Sequence, residues 1–446
     1  MAAMSFEAFR DKAFEAAAAN GCEAAEVYYV ESERFTVKVL EQDIDSYSVS
    51  KSGGLGLRVK RNGKDGYAYT ELLDEPEKLV ARAADNARVI ENSDEHPMQT
   101  KCAYQQVVQP ENPLTALSEK EKIALAKELE RCCLEADPRV KRVSHNMFSS
   151  YRSKVKIYNT LGLAAESSDQ GCYCYVSPVM EENGEVHDGF GFRFGAKSNE
   201  TRACAEEAVA EAAAQFGASP VPAGEYRVLL RNDTSGDLLD FFSAMFSAER
   251  VQKGMSPLKG KEGEEIAVSA LTIEDDPFYP EFPRAFDDEG TPSEKTTVVK
   301  DGKLMSLLHN LKTAKKAGVR STSNGGRASA ASPVDVMPSN FYVVPGKKSF
   351  EELVAQLDNG LIITEISGLH AGANAFTGDF SLLAKGKLVE NGKVIRAVER
   401  ITVAGSYLAL MKNIEEIGAD LKFGIPGGSC IGSPSMLIKG LMISGK

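Results

Sequence analysis

The chain has 446 residues, and its 64 Asp and Glu against 52 Lys and Arg give a formal net charge of −12 at pH 7. Because proteins bind a phosphate backbone through clustered Lys and Arg, this acidic balance (pI about 5.2) argues against a nucleic-acid binder and disfavours an anionic membrane surface. The 43% hydrophobic and 26% charged residues are typical of globular domains, and a length of about 150 residues per domain predicts two or three of them.

Neither a membrane span nor a leader is expected. No apolar run approaches the roughly 18 residues that span a bilayer, and the N-terminus has a helical pattern rather than that of a signal peptide. We therefore expect a cytoplasmic protein. Its eight cysteines include no Cys-x-x-Cys pair and are expected to be free thiols, largely buried, in a reducing compartment.

The first half of the chain, residues 1–219, combines helices with hairpins. Apolar residues at helical spacing predict helices at 5–19, 75–90, 118–135 and 199–216. Alternating residues predict strands at 26–30, 35–40, 54–59, 67–70, 155–158, 172–176 and 189–194. The dipeptides Asn62-Gly63 and Asn183-Gly184 are typical of two-residue turns between antiparallel strands.

A Pro-rich break at 219–224 predicts a domain boundary, with one domain at 1–219 and a second at 224–446. The second half is mostly strand, again with tight-turn dipeptides at Asp301-Gly302 and Asn391-Gly392. Its predicted helices lie at 236–249, 307–316 and 349–357. Because two-residue turns join antiparallel neighbours, the predicted fold class is α+β rather than a doubly wound parallel sheet.

Metal-binding motifs are weak. The five histidines stand apart in sequence, and His-Glu-x-x-His is absent. Cys172 and Cys174 share a strand face, but a hairpin at Asn183-Gly184 would place Cys174 opposite Arg193 rather than His187. The predicted strand pairing places no third metal ligand next to Cys172 and Cys174, so we interpret both thiols as core residues.

Glycine-rich stretches and an aromatic strand have ordinary interpretations. Gly53 to Gly56 lacks the Gly-Lys-Ser/Thr of a phosphate loop, and 427–432 misses Gly-x-Ser-x-Gly by one residue, which disfavours Ser429 or Cys430 as a nucleophile. Phe190, Phe192 and Phe194 alternate with smaller or polar residues, and we interpret them as a core-facing strand rather than a base-stacking platform.

Two stretches are stronger candidates for function. Asp287, Asp288 and Glu289 precede a strand, where they would bind a cation, accept hydrogen bonds from a peptide, or form a solvated turn. The segments 368–374 and 376–381 are rich in small residues, which suit either close approach of another chain or tight loops in a barrel.

At these stretches the chain resembles the TldD/PmbA family, also called TldD/TldE or "modulator of DNA gyrase" proteins. The resemblance covers essentially the whole length. It rests on the order and spacing of Asp287 to Pro292 with the following Asp301-Gly302 hairpin, Ser323 to Arg327, Pro338 to Gly346, Thr377 to Ser381 and Gly432 to Ile438.

This resemblance implies a two-domain subunit with an antiparallel, barrel-like C-terminal domain. It also implies two kinds of chain that pair into a zinc peptidase, which trims peptides such as modified antibiotic precursors and unfolded antitoxins inside the cell. The catalytic kind carries His-Glu-x-x-x-His on the first helix of the second domain, where two imidazoles bind zinc and the Glu is the general base. A Cys near the C-terminus is a further ligand.

Here the corresponding stretch after Leu238-Leu239 reads Asp240 to Met245 and contains neither His nor that Glu. Cys430 lies in a glycine-rich setting that matches the metal-ligand Cys poorly. The chain is therefore most similar to the PmbA/TldE branch. We assign it no catalytic residue, no metal ligand and no cofactor of its own, and we expect zinc in the partner subunit.

The resulting hypothesis is a noncatalytic subunit that pairs with a TldD-type paralogue, or with itself when alone, and shapes a cleft for extended or unfolded peptides. The residues predicted to contact peptide are Asp288, Glu289, His370, Asn374 and Asp379. One alternative is a stand-alone metallopeptidase with an unrecognised metal site. Another is a non-enzymatic protein that binds gyrase or a toxin–antitoxin system.

Overall fold

The computed structural model describes residues 4–89 and 94–445 of the chain. Four α-helices, two short 3₁₀ helices (Pro113–Ala116 and Gly195–Asn199) and one antiparallel sheet make up the described part of the first half. The helices are α1 Phe6–Ala19, α2 Pro76–Val89, α3 Glu119–Ala136 and α4 Thr201–Ala213. The strands are β1 Ala24–Leu40, β2 Asp43–Arg61, β3 Lys64–Thr70, β4 Val140–Asn159, β5 Ala164–Glu182, β6 Glu185–Asp188 and β7 Gly191–Phe194.

The strand order in this sheet is β3-β2-β1-β4-β5-β6, with β7 also paired to β5. The predicted strands 26–30 and 35–40 are one continuous strand, because β1 pairs along its length with both β2 and β4. Odd-numbered residues of β1, such as Val27 and Val37, face the helices, α1 and α2 at one end and α3 and α4 at the other. The opposite face is left open to contact the second half.

The second half contains a closed barrel and a smaller mixed sheet. Its helices are α5 Asn232–Phe242, α6 Ala248–Gln252, α7 Leu311–Ala317, α8 Phe350–Leu357, α9 Leu369–Gly372 and α10 Tyr407–Lys412. Its strands are β8 Gly224–Leu230, β9 Ile273–Asp275, β10 Thr296–Lys300, β11 Lys303–Leu304, β12 Gly325–Gly326, β13 Asp335–Val336, β14 Asn340–Val343, β15 Gly360–Ser367, β16 Asp379–Glu390, β17 Lys393–Ser406, β18 Ile414–Ile417, β19 Lys422–Phe423, β20 Cys430–Ser433 and β21 Met436–Ser444.

The barrel closes because β17 pairs with β21 as well as with β16, in the cycle β17-β16-β15-β8-β21. A second sheet has the order β11-β10-β9-β14-β20-β19, and β12 pairs with β13. The largest hydrophobic cluster fills the space between these sheets and α5. The predicted α+β class and the barrel-like second half are confirmed.

Helix bounds follow the capping residues. The predicted helix 236–249 is wrong as one element: α5 is followed by a 3₁₀ turn, Ser243–Phe246, and by α6, because Ser247 caps a new helix through the backbone N–H of Arg250. The helix predicted at 307–316 begins only at Leu311, since Asn310 is its N-cap. For the helix predicted at 75–90, the end at Ile90 lies outside the described residues.

The interpretation of the 189–194 strand as core-facing through its phenylalanines is wrong. Gly189 and Gly191 face α4 instead, where an added Cβ would lie 1.9 Å from the carbonyl oxygen of Ala208 and 2.3 Å from that of Cys204, respectively. The helix packs so closely that only glycine fits on that side. The phenyl rings therefore point to the other side, where Phe190 is 46% exposed.

The thiols behave as the sequence predicted. All eight cysteines are free, and six of them are buried. Cys174 pairs with Arg193 and Met180 with His187, which is the register expected from the Asn183-Gly184 turn. As for membranes, the helices within 4–89 and 94–445 include none long and apolar enough to cross a bilayer.

We predict that Gly191→Ala lowers the free energy of unfolding by about 2 kcal/mol or more, because the new methyl group would overlap the α4 backbone. Gly224→Ala is the matched control, since its Cβ would meet nothing closer than 3.7 Å. Urea unfolding of both variants measures the difference. Equal stability of the two variants would contradict this packing account.

Candidate functional site

The predicted acidic stretch forms a buried connection within the second half. The Asp287 carboxylate accepts hydrogen bonds from the backbone N–H groups of Glu289 and Thr291, both at 2.9 Å, and of Gly325 at 2.8 Å. Asp287 is 1% exposed. Its carboxylate therefore organises the loop from inside.

The next two residues join the two halves of the chain. The hydroxyl of Tyr28 on β1 donates to Asp288 at 3.0 Å, and the backbone N–H of Arg327 donates to the same carboxylate at 2.8 Å. Glu289 is buried, accepts from the Leu311 N–H at 2.7 Å and lies 2.5 Å from Nε2 of His96. Tyr28 and His96 belong to the first half, so both acids bridge the halves.

Charges around this contact are also buried. The Arg327 guanidinium lies 4.8 Å from the centre of the Tyr28 ring and 3.6 Å from the carboxylate of Glu26, and both charged side chains are almost inaccessible. The Tyr104 hydroxyl donates to the carbonyl of Gly290 at 2.8 Å. We call the contacts of Asp287, Asp288 and Glu289 with Tyr28, His96 and Arg327 the acidic clasp.

Burial changes the proton affinity of the clasp. It raises the pKa of Asp287 to about 7, and the charge of Glu289 contributes to the same rise. Burial likewise raises the pKa of Glu289 to about 7 and lowers the pKa of His96 to about 3. His96 is therefore neutral at neutral pH, and one proton is held between its ring and Glu289.

The other predicted peptide-binding residues lie elsewhere. His370, Asn374 and Asp379 are exposed on the segment from α9 to the start of β16. The Asn374 N–H donates to the Asp379 carbonyl at 2.9 Å, and its side chain accepts from the Phe376 N–H at 2.9 Å. The structure joins Asn374 to Asp379 but records no hydrogen bond from this loop to the clasp among the described residues. The peptide-binding role of all five residues stays a prediction.

A cleft of about 1050 Å³ lies between the halves. The first half contributes β7 and α4, and the second contributes α5, barrel strands and the 422–429 loop. None of the five predicted residues lines it. It is large enough for a short stretch of extended chain, since ligand pockets are typically about 300–1,000 Å³.

Acidic residues of α5 line one side of this cleft. Asp233, Asp237 and Asp240 follow at spacings of four and three, which places them on one face of the helix, while Leu239 and Phe242 on the opposite face are buried in the barrel core. Burial raises the pKa of Asp237 to about 6 and also raises that of Asp240.

The opposing walls of the cleft are aromatic, and contacts between aromatic rings connect them. Phe190 and Phe192 of the first half line the cleft, as do Phe423 and the neighbouring glycine-rich loop of the second half. Behind them, Phe194 contacts Phe282 at a ring distance of 5.1 Å, and Phe282 contacts Phe423 at 6.2 Å. These rings keep the walls at a fixed spacing.

The residues of α5 do not fit the zinc site that the family resemblance implies. The corresponding stretch, Asp240 to Met245, contains neither His nor the Glu of the family motif, and Met245, in the 3₁₀ turn after α5, is fully buried in the core. Cys430 is buried on β20, and burial raises the pKa of its thiol to about 12, which disfavours the thiolate that binds metal. In the described parts of the chain, no group of three His, Cys, Asp or Glu side chains is arranged to hold a metal ion.

Sequence reasoning missed the cleft, although one signal was available. The spacing of Asp233, Asp237 and Asp240 already predicts one acidic helix face. Phe190 and Phe423, which line the same cleft, lie 43 residues before Asp233 and 183 residues after Asp240, and no local pattern brings them together.

The sequence matches three family models along almost its whole length. They are described as PmbA/TldA metallopeptidase domain 1, over residues 25–87, the central domain, over 112–216, and the C-terminal domain, over 223–445. The sequence is also 27% identical to the metalloprotease TldD homolog of Haemophilus influenzae, over 88% of this chain and 86% of that protein.

Two solved structures have a similar fold. A Thermotoga maritima protein, solved as a candidate modulator of a DNA gyrase, is 34% identical and superposes with a TM-score of 0.91 over 99% of this chain and 100% of that one. TldE from Thermococcus kodakarensis, at 21% identity, superposes with a TM-score of 0.89 over 98% of this chain and 100% of that one. The latter likeness concerns the fold alone.

The clasp predicts a stability that falls as the pH rises from 6 to 8. Asp287 and Glu289 have raised pKa values in the folded state, so the folded chain holds protons that the unfolded chain has already released, and that advantage is lost as pH passes about 7. His96 acts in the opposite direction below about pH 7, because its pKa is lowered in the folded state and the unfolded chain still binds a proton there, and it offsets part of this slope. The expected loss is on the order of 1 kcal/mol per carboxyl.

Glu289→Gln tests this assignment. The variant keeps the acceptor for the Leu311 N–H but cannot ionise, so urea unfolding between pH 6 and 8 should show a shallower pH dependence than the parent chain. Glu281→Gln, at an exposed position, is the control and should leave the slope unchanged. An unchanged slope in Glu289→Gln would contradict the account.

Proposed function

This chain belongs to the TldD/PmbA metallopeptidase family, and we propose that within it the chain is the noncatalytic partner of a zinc-bearing TldD-type subunit. The assembly would act in intracellular proteolysis and peptide maturation, in the cytoplasm. We further propose that residues 1–219 and 224–446 are its two domains. When no paralogue is present, the chain pairs with itself.

One observation carries this proposal: the α5 face that opens on the cleft presents carboxylates in place of a zinc ligand set. The stretch that corresponds to the motif, Asp240 to Met245, has neither its His nor its Glu, and Met245 packs into the barrel core. Restoring a ligand at position 245 would require a polar ring in that core, at a large cost in stability. The chain is therefore suited to hold peptide rather than to activate water.

The cleft supports a positioning role. Its aromatic walls suit apolar side chains of a peptide, and the carboxylates of Asp237 and Asp240 suit a peptide amine or basic side chain. The exposed loop with His370, Asn374 and Asp379 is proposed as a second peptide contact. Asp288 and Glu289 stay proposed peptide contacts, and through the acidic clasp they would also hold the two halves together.

The proposal predicts that the purified chain alone does not hydrolyse unfolded peptides, and that adding the metal-bearing paralogue gives hydrolysis that a chelator abolishes. The assay is cleavage of a set of unstructured peptides, followed by mass spectrometry. Chelator-sensitive cleavage by the chain alone would contradict the noncatalytic role and favour a stand-alone metallopeptidase.

Cleft variants test the positioning role. In the reconstituted assembly, Asp237→Asn with Asp240→Asn should raise the KM for a peptide with basic residues by about fivefold and leave kcat nearly unchanged, because only substrate binding is weakened. Glu262→Gln, at an exposed position outside the cleft, is the control. Unchanged KM in the cleft variant would remove the cleft from the proposal.

A further inference from the structure

A second cavity lies between the two halves, on the open face of the first sheet. Its volume is about 230 Å³. The first half contributes residues of β1, β2 and β3, and the second half contributes the segment 327–332. The two halves come close at Gly56, where an added Cβ would lie 2.3 Å from the carbonyl oxygen of Ala330. This cavity shares no lining residue with the α5 cleft.

Charged and polar side chains form a row across the first sheet at this cavity. Glu26 on β1 pairs with Arg58 on β2, and Arg58 pairs with Tyr67 on β3. Because directly paired residues point to the same face of a sheet, the three side chains lie side by side. All three line the cavity, and so does Arg327 of the second half. The wall of the cavity thus carries one carboxylate, two guanidinium groups and a phenol hydroxyl.

Several of these groups are buried without a close partner. The Glu26 carboxylate is 2% exposed, and it lies 3.3 Å from the side-chain amide of Asn159 and 3.6 Å from the Arg327 guanidinium. Within residues 4–89 and 94–445, Nη2 of Arg327, Nε of Arg58 and the hydroxyl of Tyr67 make no hydrogen bond. Since buried polar groups are costly without partners, this arrangement favours a bound molecule that supplies both a donor and an acceptor.

Charge balance selects the kind of molecule. Arg58 is already paired with Asp65 at 3.0 Å, and Arg327 is paired with Glu26. A free anion such as phosphate, or a free cation, would therefore bring an uncompensated charge into a buried site. A small zwitterion brings no net charge. Its carboxylate can accept hydrogen bonds from Arg327 and Tyr67, while its ammonium donates to Glu26.

The volume and the remaining walls set the size of this molecule. Drug-sized ligands typically occupy about 300–1,000 Å³, so a cavity of about 230 Å³ suits a molecule the size of a single amino acid. Beyond the polar row, the cavity is lined by the rings of Tyr28 and Tyr69 and by the small residues Ala330 and Ala331. Such walls suit an apolar side chain, because a charged one would find no partner there.

We propose that this cavity binds one free α-amino acid with an apolar side chain. Arg327 and Tyr67 hold its carboxylate, and Glu26 holds its ammonium. Only a free amino acid brings these two groups as close together as the row requires, because the termini of a longer peptide lie further apart. The cavity is separate from the α5 cleft, so the proposal does not depend on whether the assembly cleaves peptides.

Isothermal titration calorimetry of the full chain with L-leucine tests the ligand class. We expect one L-leucine to bind per chain. N-acetyl-L-leucine lacks the ammonium and L-leucinamide lacks the carboxylate, so each should bind roughly tenfold more weakly, because each leaves a buried charge without a partner. Failure of L-alanine, L-leucine and L-phenylalanine all to bind at millimolar concentration would overturn the proposal. Binding of both derivatives as tightly as L-leucine would also overturn it.

Variants test the location of the site. Tyr67→Phe removes a hydroxyl that has no partner in the described part of the chain, so it should fold normally and yet bind L-leucine roughly fivefold more weakly. Tyr175→Phe is the matched control, because its hydroxyl also makes no hydrogen bond with any described residue and it lies outside the cavity. Unchanged affinity in Tyr67→Phe, or an equal loss in Tyr175→Phe, would overturn the assignment of this site.

A further variant tests the orientation of the ligand. Glu26→Gln should weaken the binding of L-leucine by roughly tenfold but leave the weaker binding of N-acetyl-L-leucine nearly unchanged, because that derivative has no ammonium to lose a partner. Circular dichroism verifies that the variant is folded. An equal loss for both ligands would contradict the contact between Glu26 and the ammonium.

Discussion

The acidic clasp is the contact on which the rest of this structure depends. Asp287, Asp288 and Glu289 leave a turn of the second half and bind the hydroxyl of Tyr28 and the imidazole of His96 in the first half. Such groups are costly to bury unless each finds a partner, and here backbone N–H groups and Arg327 supply the partners. Together with the aromatic contacts behind the cleft, the clasp fixes how far apart the cleft walls stand.

The closed barrel explains which residues of α5 are buried and which face the cleft. A helix against a barrel must bury one face, and Leu238, Leu239 and Phe242 form that face here. The opposite face opens on the cleft and carries aspartates, and burial raises the pKa values of Asp237 and Asp240. The fold of this chain thus has a cleft whose chemistry depends on a few positions of one helix, and this feature supports the proposal of a partner that binds rather than cleaves.

Local signals in the sequence predicted much of the fold. The two-residue turns predicted an antiparallel fold class, and the turn at Asn183-Gly184 predicted the pairing of Cys174 with Arg193. The predictions that were wrong concern positions whose structure depends on residues distant in sequence. Phe190, for example, points away from the core because α4 packs directly on Gly189 and Gly191. The acidic stretch was recognised as unusual, but its burial depends on Tyr28 and His96, which are about 190 residues or more away in sequence.

The most direct test of the noncatalytic role is the zinc content of the chain purified alone and without a histidine tag, measured by elemental mass spectrometry. The account predicts far less than one zinc per chain, because the α5 face offers carboxylates without the imidazole ligands of the family motif. One tightly bound zinc per chain would contradict it and would mean that this subunit has a metal site of its own.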